Sequence, residues 1–442
     1  MLLKFSVQNY KSFAQESAVS LVSDQLEKAI PQKDKDWVDV VHPVLGIFGP
    51  NASGKTTLLR AIGDLSAAVT KPGFRLHKPC AMVPILAQTP TEYRLSFVTD
   101  GVRYEYQVKA ESWGISSEIL YAYPKPSEKV KRISQRLLFE RTQKKRDRLP
   151  TIKAGATLRG ATQEVAKITR ANSLFLGVAR EYGHEILAPI ARSLSMSQGI
   201  LPLMHSEAVR ENNIHWISRQ VAEEGETWEK ITDALIKVAD FGIARVEVDE
   251  REISPEDMAR LRIIFAEEAD EEVEIPDELL QMIKRSLTFY HYSVGGVTIP
   301  LSINAQSDGT KAWLALAGRA VEAIKSGKTL VVDELDSSLH PSLVTVLIEM
   351  FKDSLLNKSG AQIIFNSHNI NLLGNSPSRV LDPQEVCFTQ KNSVGISSVY
   401  SLTDFSVQEK NNVEKRYLAG AFGAIPDIHV SALQQCMMDE GR

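Results

Sequence analysis

The sequence of 442 residues predicts an α/β fold built on a mixed sheet. Apolar runs of strand length at 44–48, 330–332 and 361–365 alternate with segments whose apolar residues recur at helical spacing, which is typical of parallel strands joined by helices. Between them, 93–108 alternates apolar and polar residues around Asp100-Gly101, which predicts an antiparallel hairpin. We therefore expect parallel and antiparallel strands in the same protein.

Composition limits the class of protein. Hydrophobic residues make up 43% and charged residues 24% of the chain, and the net charge is −4, which is ordinary for a globular protein and gives no global signature of a nucleic-acid binder. Cys80, Cys387 and Cys436 lie far apart, so neither a zinc site nor a disulfide framework is expected, and a reducing compartment fits best. The N-terminus is not a signal peptide, and no run reaches the roughly 18 apolar residues of a membrane helix. We expect a cytoplasmic protein without membrane contact.

The first part of the chain combines a glycine-rich turn with antiparallel strands. Residues 2–7 and 44–48 are predicted strands, and 56–69 has the apolar spacing of a helix. A strand, a glycine-rich turn and a helix therefore follow one another, which is the order that a phosphate-binding turn requires. After the hairpin at 93–108, the run at 118–123 predicts one more strand.

The segment 125–148 is the one strongly basic stretch of the sequence. Its basic residues are Lys125, Lys129, Lys131, Arg132, Arg136, Arg141, Lys144, Lys145, Arg146 and Arg148. Clustered lysines and arginines supply the salt-dependent part of nucleic-acid affinity, so a nucleic-acid partner is left open. Because aromatic residues are sparse there and the whole chain is acidic, a solvated hairpin is the alternative interpretation.

The middle of the chain is predicted to be a helical insertion. Long helical patterns such as 216–243 lack sustained heptads, which favours a compact lobe over a coiled coil, and the acidic run at 267–278 is interpreted as a solvated loop. We therefore expect three parts: 1–160 as the first part of the α/β domain, 161–285 as the insertion, and 286–442 as the second part of the α/β domain.

A phosphate-binding motif stands at 49–56, where GPNASGKT matches G-x-x-x-x-G-K-[ST]. Glycines let the backbone N–H groups wrap phosphates, Lys55 reaches the β/γ oxygens, and Thr56 can bind Mg²⁺. The residues predicted to contact the nucleotide here are Gly49, Asn51, Ala52, Ser53, Gly54, Lys55, Thr56 and Thr57. A ligand-free glycine turn is the alternative, which the strand before it and the helix after it disfavour.

An apolar strand at 330–332 ends in the carboxylates of Asp333 and Glu334. This arrangement can hold Mg²⁺ with the first acid and polarise an attacking water with the second. Buried strands also end in acids that cap the next helix, so the pair alone would be weak evidence. Together with the phosphate loop, it predicts a metal ligand at Asp333 and a catalytic base at Glu334.

These motifs resemble the bacterial ABC-type ATPases related to SMC proteins, RecF and the OLD family. The resemblance rests on LLKFSVQNYKSF at 2–13, GPNASGKTT at 49–57, SDGTKAWLALAG at 307–318, VVDELDSSLHP at 331–341, IIFNSHN at 363–369 and KRYLAGAFGAIP at 415–426. The pattern is most similar to stand-alone ATPases of anti-phage and abortive-infection systems, relatives of the PARIS and Septu ATPase subunits. It implies a P-loop ATPase head of ABC type, with antiparallel hairpins and a helical insertion.

The resemblance also assigns roles. In such proteins two heads sandwich ATP, so Ser307 and Gly309 would contact the γ-phosphate of the partner head, although the usual L-S-G-G run is absent and a helix cap is the alternative. Asp336 resembles the D-loop acid, and His368 resembles the switch histidine that senses the γ-phosphate, with a structural imidazole as the alternative. Gln88 resembles the Q-loop glutamine only loosely. Lys55, Glu334 and His368 are the catalytic candidates.

The implied function is an ATPase that uses ATP and Mg²⁺, pairs through its heads as a homo-oligomer, and regulates a separate effector, a nuclease or toxin, in anti-phage defence. Three alternatives are a RecF- or SMC-like DNA-repair ATPase, an OLD-like nuclease component and a transporter ATPase. Residues 369–442 carry no D-x-D or isolated glutamate on an apolar strand, which argues against a nuclease domain. The SMC-like opening and the large insertion argue against a transporter.

Overall fold

The computed structural model describes residues 1–22, 36–124, 134–145, 147–204, 206–239, 242–250, 284–407 and 412–425, with isolated positions at 253, 255, 258 and 280. The chain divides into two compact units. The first unit comprises Met1–Leu203, Ala323–Leu335 and Ile348–Arg442, and the second comprises Met204–Glu322 and Asp336–Leu347. The α/β fold predicted from the sequence is confirmed.

The strands are β1 (Leu2–Gln8), β2 (Ser17–Ser20), β3 (Val44–Phe48), β4 (Thr91–Thr99), β5 (Val102–Glu111), β6 (Gly114–Tyr123), β7 (Arg136–Thr142), β8 (Thr151–Ala154), β9 (Ile200–Leu203), β10 (Ile243–Glu250), β11 (Arg285–Tyr292), β12 (Thr298–Ser302), β13 (Thr329–Val332), β14 (Gln362–Asn366), β15 (Val386–Lys391) and β16 (Ser397–Ser401). The helices are α1 (Lys55–Thr70), α2 (Thr162–Ile168), α3 (Phe175–Glu181), α4 (Leu187–Arg192), α5 (Glu207–Glu224), α6 (Glu226–Ala239), α7 (Asp308–Ser326), α8 (Pro341–Lys352) and α9 (Val413–Leu418). No helix among these described residues is long and apolar enough to cross a membrane.

The six-stranded sheet of the first unit has the order β16-β15-β3-β14-β13-β9. Strands β15, β3, β14, β13 and β9 are parallel, and β16 is antiparallel to β15. Strands β3, β13 and β14 are buried along their whole length, as their continuous apolar runs predict. Because these three strands are parallel neighbours, the segments that follow them lie at the same edge of the sheet.

The seven-stranded antiparallel sheet of the first unit has the order β2-β1-β4-β5-β6-β7-β8. The hairpin predicted at Asp100-Gly101 is confirmed, because β4 pairs with β5 and the two turn residues have φ of +50° and +70°. Positive φ at both positions is what a two-residue hairpin turn requires, and Asp-Gly adopts it readily.

The predicted boundaries of the insertion differ from the observed units. Helices α2–α4 and strand β9 fall before residue 204 and belong to the first unit, because β9 pairs with β13 and extends the six-stranded sheet. The second unit contains helices, as predicted, among them α5 and α6, but also a three-stranded antiparallel sheet, β10-β11-β12. Apolar residues in that region of the sequence recur mainly at helical spacing, so these shorter strands are not recognised from the sequence. The acidic run at 267–278 lies outside the described residues.

Helix α3 holds the far end of α1, the helix that starts at the phosphate loop. A Cβ on Gly177 of α3 would lie only 2.9 Å from the carbonyl oxygen of Val69, so glycine allows the two helices to approach closely. Arg180 donates from Nη2 to the carbonyl of Thr70 at 2.7 Å and from Nε to that of Val69 at 3.3 Å. These bonds satisfy carbonyl groups that the end of α1 leaves open.

A buried ion pair fixes α3 to the antiparallel sheet. Glu118 on β6 and Arg141 on β7 are fully buried, with Oε2 and Nη1 3.9 Å apart. The Glu118 carboxylate also accepts from the Tyr106 hydroxyl at 2.8 Å and from the N–H groups of Phe175 and Leu176, at 2.6 and 2.9 Å, where α3 begins. Burial raises the pKa of the Glu118 carboxyl, and Arg141 opposes that rise. Arg141 is thus a structural residue and does not contribute to a basic surface.

Replacing Arg141 with Met should lower the free energy of unfolding by about 3–5 kcal/mol, because it leaves the Glu118 carboxylate buried without its cation. Urea denaturation followed by circular dichroism measures the change. The control is Lys153→Met, which breaks the exposed Lys153–Glu140 pair on the neighbouring strands, at 3.9 Å, and should change stability much less. Equal losses in the two variants would contradict a stabilising role for the buried pair.

Candidate functional site

The loop after β3 has a backbone that only particular residues tolerate. Gly49 and Gly54 have φ of +147° and +116°, and Ala52 between them has φ of +61°. A Cβ on Gly49 would lie 2.3 Å from the carbonyl oxygen of Thr389, and one on Gly54 would lie 2.8 Å from Oγ of Ser397. Both the backbone conformation and the β15–β16 hairpin therefore require glycine at the two ends of this loop.

The Lys55 side chain turns back into this loop. Its Nζ donates to the carbonyl oxygens of Gly49 and Pro50 at 2.7 and 2.9 Å, and the residue is 5% exposed. Helix α1 starts at the same residue, so its first N–H groups and the positive end of its dipole are at the loop. The loop thus concentrates positive charge and N–H donors, as an anionic phosphate requires. Ser53 is held by a 2.6 Å bond to the Thr389 hydroxyl.

Three polar side chains meet at the carboxyl ends of β3, β13 and β14. Thr56 Oγ1 donates to Asp333 Oδ1 at 2.7 Å. Asn366 Nδ2 donates to the same Asp333 oxygen at 2.7 Å and lies 3.4 Å from Thr56 Oγ1. Asn366 is fully buried and Asp333 is 7% exposed. The structure thus brings the phosphate loop and the acid pair into direct contact through residues that are hundreds of positions apart.

The Thr56 hydroxyl and the Asp333 carboxylate fit a Mg²⁺ ion that arrives with a nucleotide. Mg²⁺ commonly binds to one or two protein oxygens and completes its octahedral shell with phosphate oxygens and water. In the described part of the chain, no group of three or more His, Cys, Asp or Glu side chains is arranged as a metal site. Thr56 and Asp333 supply the two protein oxygens that such an ion can use, and phosphate and water would supply the remaining ligands.

Glu334 has a backbone conformation that is uncommon for its residue type, with φ of +57°. Its N–H donates to Oδ1 of Asn366, and the next N–H, of Leu335, donates to the Asn366 carbonyl at 3.0 Å. Asn366 thus supports the unusual conformation on both sides. Such strain persists where the surroundings impose it, which supports a functional role for the half-buried Glu334.

Asn366 is not among the residues that the sequence motifs predict. The segment IIFNSHN draws attention to His368, whereas Asn366 is the residue that joins Thr56, Asp333 and Glu334. One signal in the sequence could identify it: an amide at the end of an otherwise apolar, buried strand.

His368 and Gln88 occupy different surroundings. His368 is exposed and lies two residues beyond Asn366, in a turn where the Ser367 hydroxyl accepts from the Asn369 N–H at 2.9 Å. It therefore lies next to the cluster formed by Thr56, Asp333 and Asn366. Gln88 is exposed and lines a cavity of about 390 Å³ with Trp113 and Lys144, and no described residue of the phosphate loop lines that cavity.

In the second unit, the predicted trans-acting residues lie together at the start of α7. Ser307 is exposed, and its Oγ accepts from the Thr310 N–H at 3.1 Å. Ser307 therefore caps α7, which is the role that the sequence offers as the alternative to a phosphate contact. A Cβ on Gly309 would lie 3.3 Å from the carbonyl oxygen of Ser338, two residues after the half-buried Asp336. The segments 307–309 and 336–338 are thus neighbours.

The basic stretch is only partly described. Lys125, Lys129, Lys131, Arg132 and Arg146 lie outside the described residues. Arg136, Lys144, Lys145 and Arg148 are exposed, whereas Arg141 is buried. Of the five described basic residues of this stretch, four are thus on the surface and one is part of the core.

Comparison with known proteins gives one extensive match to a family. The model of the family described as "AAA domain, putative AbiEii toxin, Type IV TA system" matches residues 44–374. Two solved structures are similar to this chain. The SMC head domain from Thermotoga maritima has 14% identity and a TM-score of 0.39, and the match covers 90% of this chain and 98% of that chain. An SmcHead bound to the C-winged helix domain of ScpA has 12% identity and a TM-score of 0.40, and the match covers 94% of this chain and 99% of that chain. Both identities and both TM-scores are low. No curated protein sequence matches the chain significantly.

Replacing Gly49 with Ala should abolish nucleotide binding, because the new Cβ would collide with the Thr389 carbonyl and force the loop to shift. Fluorescence titration with a labelled ATP analogue measures the affinity. The matched control is Gly63→Ala on α1, where the nearest atom to the new Cβ is 3.6 Å away and alanine favours the helix. The control should bind as the wild type does. Normal affinity in Gly49→Ala would contradict the requirement for glycine.

Replacing Asn366 with Ala should lower ATP hydrolysis by about tenfold or more, a loss of roughly 1.4 kcal/mol of transition-state stabilisation. The reason is that Asp333 and the Glu334 N–H lose their shared partner. Steady-state phosphate release measures kcat and KM, and the effect should fall mainly on kcat.

Asn357→Ala is the matched control for Asn366→Ala. Asn357 is also a buried amide of the first unit, and it makes three bonds of 2.7–2.8 Å to Phe351 and Ala361 away from the cluster. It should lose stability while keeping its kcat. Equal kcat values in the two variants would show that Asn366 has only a structural role.

Proposed function

The chain belongs to the family of AAA domains described as putative AbiEii toxin, Type IV TA system, and on this premise we propose that it binds and hydrolyses ATP with Mg²⁺. The single observation that carries the proposal is the 2.7 Å bond between the Thr56 hydroxyl and the Asp333 carboxylate. It joins the end of a phosphate loop to an acid on the second strand from it, which is the arrangement that phosphoryl transfer by P-loop proteins requires.

Each residue of the site has a distinct part in the proposed reaction. Lys55 and the N–H groups of Gly49 and of residues 51–57 bind the phosphates. Thr56 and Asp333 would hold the metal, whose charge would offset that of the phosphate oxygens. Glu334 orients an attacking water or accepts its proton. His368, next to the cluster, donates to the γ-phosphate. Asn366 holds Asp333 and Glu334 in their relative positions.

We infer that two chains pair with ATP between them. The exposed Ser307 offers a hydroxyl at the start of α7, where the N-terminus of the helix favours an anion, and Gly309 lies beside the segment 336–338. These residues belong to the second unit, whereas Lys55, Asp333 and Glu334 belong to the first. In the proposed pair, Ser307 and Gly309 of one chain meet the γ-phosphate bound by the other.

The proposed output is the regulation of a separate effector, a nuclease or toxin, in anti-phage defence. The family description names a putative toxin of a toxin–antitoxin system, which supports a role in such a pair of proteins. Closing and reopening of the heads would give a partner two states to distinguish. The DNA-repair alternative shares nearly all of these motifs, and the segment KRYLAGAFGAIP at 415–426 is the feature that favours defence over it.

Glu334→Gln should keep ATP affinity while hydrolysis falls by about tenfold or more, because the amide cannot accept a proton from water. The variant should accumulate as an ATP-bound dimer, which mass measurement in solution detects with and without ATP and Mg²⁺. A co-expressed product of the neighbouring gene should add its mass if it is the effector.

Two variants serve as controls for this measurement. Lys55→Ala should neither bind ATP nor dimerise, and Glu349→Gln, which makes the same chemical change at an exposed position of α8, should behave as the wild type. Unchanged turnover in Glu334→Gln would remove Glu334 from the mechanism. If the mass of Glu334→Gln is the same with and without ATP and Mg²⁺, the ATP-driven pairing is contradicted.

A further inference from the structure

The residue before Ser307 is buried although its neighbours are not. Gln306 is 7% exposed, while Ala305 and Ser307 on either side are exposed. Glutamine is rarely buried without a specific set of hydrogen bonds, because burial of an unpaired amide is costly. The bonds of Gln306 therefore indicate what holds this turn in place.

Both ends of the Gln306 amide are bonded within the second unit. Nε2 donates to the Ser302 carbonyl at 3.2 Å, and Oε1 lies 2.9 Å from Nε2 of His291 on β11. Because an amide oxygen can only accept, the His291 Nε2 carries the proton and donates it. The Gln306 side chain thus ties the turn before α7 to strand β11 and to the end of β12.

Gln306, with its two hydrogen bonds, directly precedes Ser307, the proposed trans-acting serine. Ser307 Oγ accepts from the Thr310 N–H at 3.1 Å and lies 2.8 Å from the Thr310 hydroxyl. The start of α7 is therefore fixed from within by Thr310 and from outside by Gln306. Strand β11, which carries His291, is the central strand of its sheet, so the anchor is attached to a rigid element.

The sequence at this site makes such an anchor useful. In place of an L-S-G-G run, Asp308 separates Ser307 from Gly309, and its carboxylate would repel a phosphate. Arg210 and Lys311 lie 3.9 and 4.0 Å from that carboxylate and partly offset its charge. Because the Asp308 charge disfavours a phosphate at this site, a fixed position of the Ser307 hydroxyl matters more. Misplacement of a contacting group by about 1 Å can cost on the order of 100-fold in rate.

We propose that Gln306 and His291 are positioning residues that hold Ser307 in place to meet the nucleotide bound by a second copy of the chain. This inference rests on the head pairing proposed above. It assigns both residues to catalysis in trans, since they act on the active site of the partner chain and leave the phosphate loop of their own chain intact.

Mixed dimers test the inference. Gln306→Ala and Lys55→Ala should each lower hydrolysis on the order of tenfold or more when present in both chains. A dimer of one Gln306→Ala chain and one Lys55→Ala chain, joined by a flexible linker so that the two stay together after hydrolysis, keeps one complete site. That site combines the phosphate loop of the first chain with Ser307 of the second, so activity should recover to about half the wild-type rate. Without trans action, both sites would be damaged and no activity would return.

A reference dimer separates this inference from the pairing on which it rests. The reference pairs a Ser307→Ala chain with a Lys55→Ala chain. If the reference recovers activity and the Gln306→Ala dimer does not, head pairing holds and the positioning role is wrong. If neither dimer recovers, head pairing itself is wrong and the inference falls with it. Wild-type hydrolysis in Gln306→Ala alone also overturns the inference.

Variants of His291, the bonding partner of Gln306, keep the test valid if Gln306→Ala does not fold. His291→Ala removes the same bond from the half-buried strand side and should reproduce the mixed-dimer recovery, even if Gln306→Ala does not fold. Gln306→Glu keeps the acceptor for His291 but loses the donor to Ser302, so it should retain an intermediate rate. His215→Ala, on α5 of the same unit, is the matched control and should hydrolyse ATP as the wild type does.

Discussion

The hydrogen bonds of Asn366 are the constraint on which the rest of the site depends. Strand β14 lies between β3 and β13, so a side chain at its carboxyl end can reach the segments that follow both neighbours. Asn366 uses its amide for this purpose, donating to Asp333 and accepting from Glu334. Because each unpaired polar atom would cost roughly 1–3 kcal/mol at this depth, the three strand ends are held in one arrangement. The phosphate loop, the acid pair and the turn of His368 are therefore parts of one rigid edge.

Two further layers attach to that edge through the phosphate loop. Helix α1 carries the loop at one end and is capped at the other by Arg180, whose helix α3 starts at the buried Glu118. The antiparallel sheet is thus connected to the phosphate loop through α3 and α1, with polar contacts where these helices meet. On the other side, the Phe388 ring of β15 stacks on Tyr417 of α9 at 5.3 Å, and the next residue of β15 packs against Gly49. Helix α9 is therefore attached to the strand that shapes the loop.

The parts of this structure that the sequence predicts are those with local signatures. Glycines at fixed spacing before Lys55, and an Asp-Gly pair between alternating runs, each demand a particular backbone and need no knowledge of distant contacts. Asn366 and Arg141 have no such signature. A single amide at the end of a strand acquires its role only when β14 is inserted between β3 and β13, and a cation within a basic run is identified as buried only when Glu118 faces it. Strand β9 is short and contains Pro202, so only its pairing with β13 reveals it.

The cap that Ser307 makes on α7 and the phosphate contact proposed for it are compatible. A serine hydroxyl has one proton to donate and two lone pairs to accept with. The Thr310 N–H occupies one lone pair, and the Thr310 hydroxyl, which is buried with its residue at 4% exposure, can donate to the other. When the Thr310 hydroxyl donates in this way, the Ser307 proton is available to a phosphate oxygen, which can only accept. Capping therefore orients the hydroxyl for an anion, and the helix whose N-terminus it caps adds a favourable dipole at the same point.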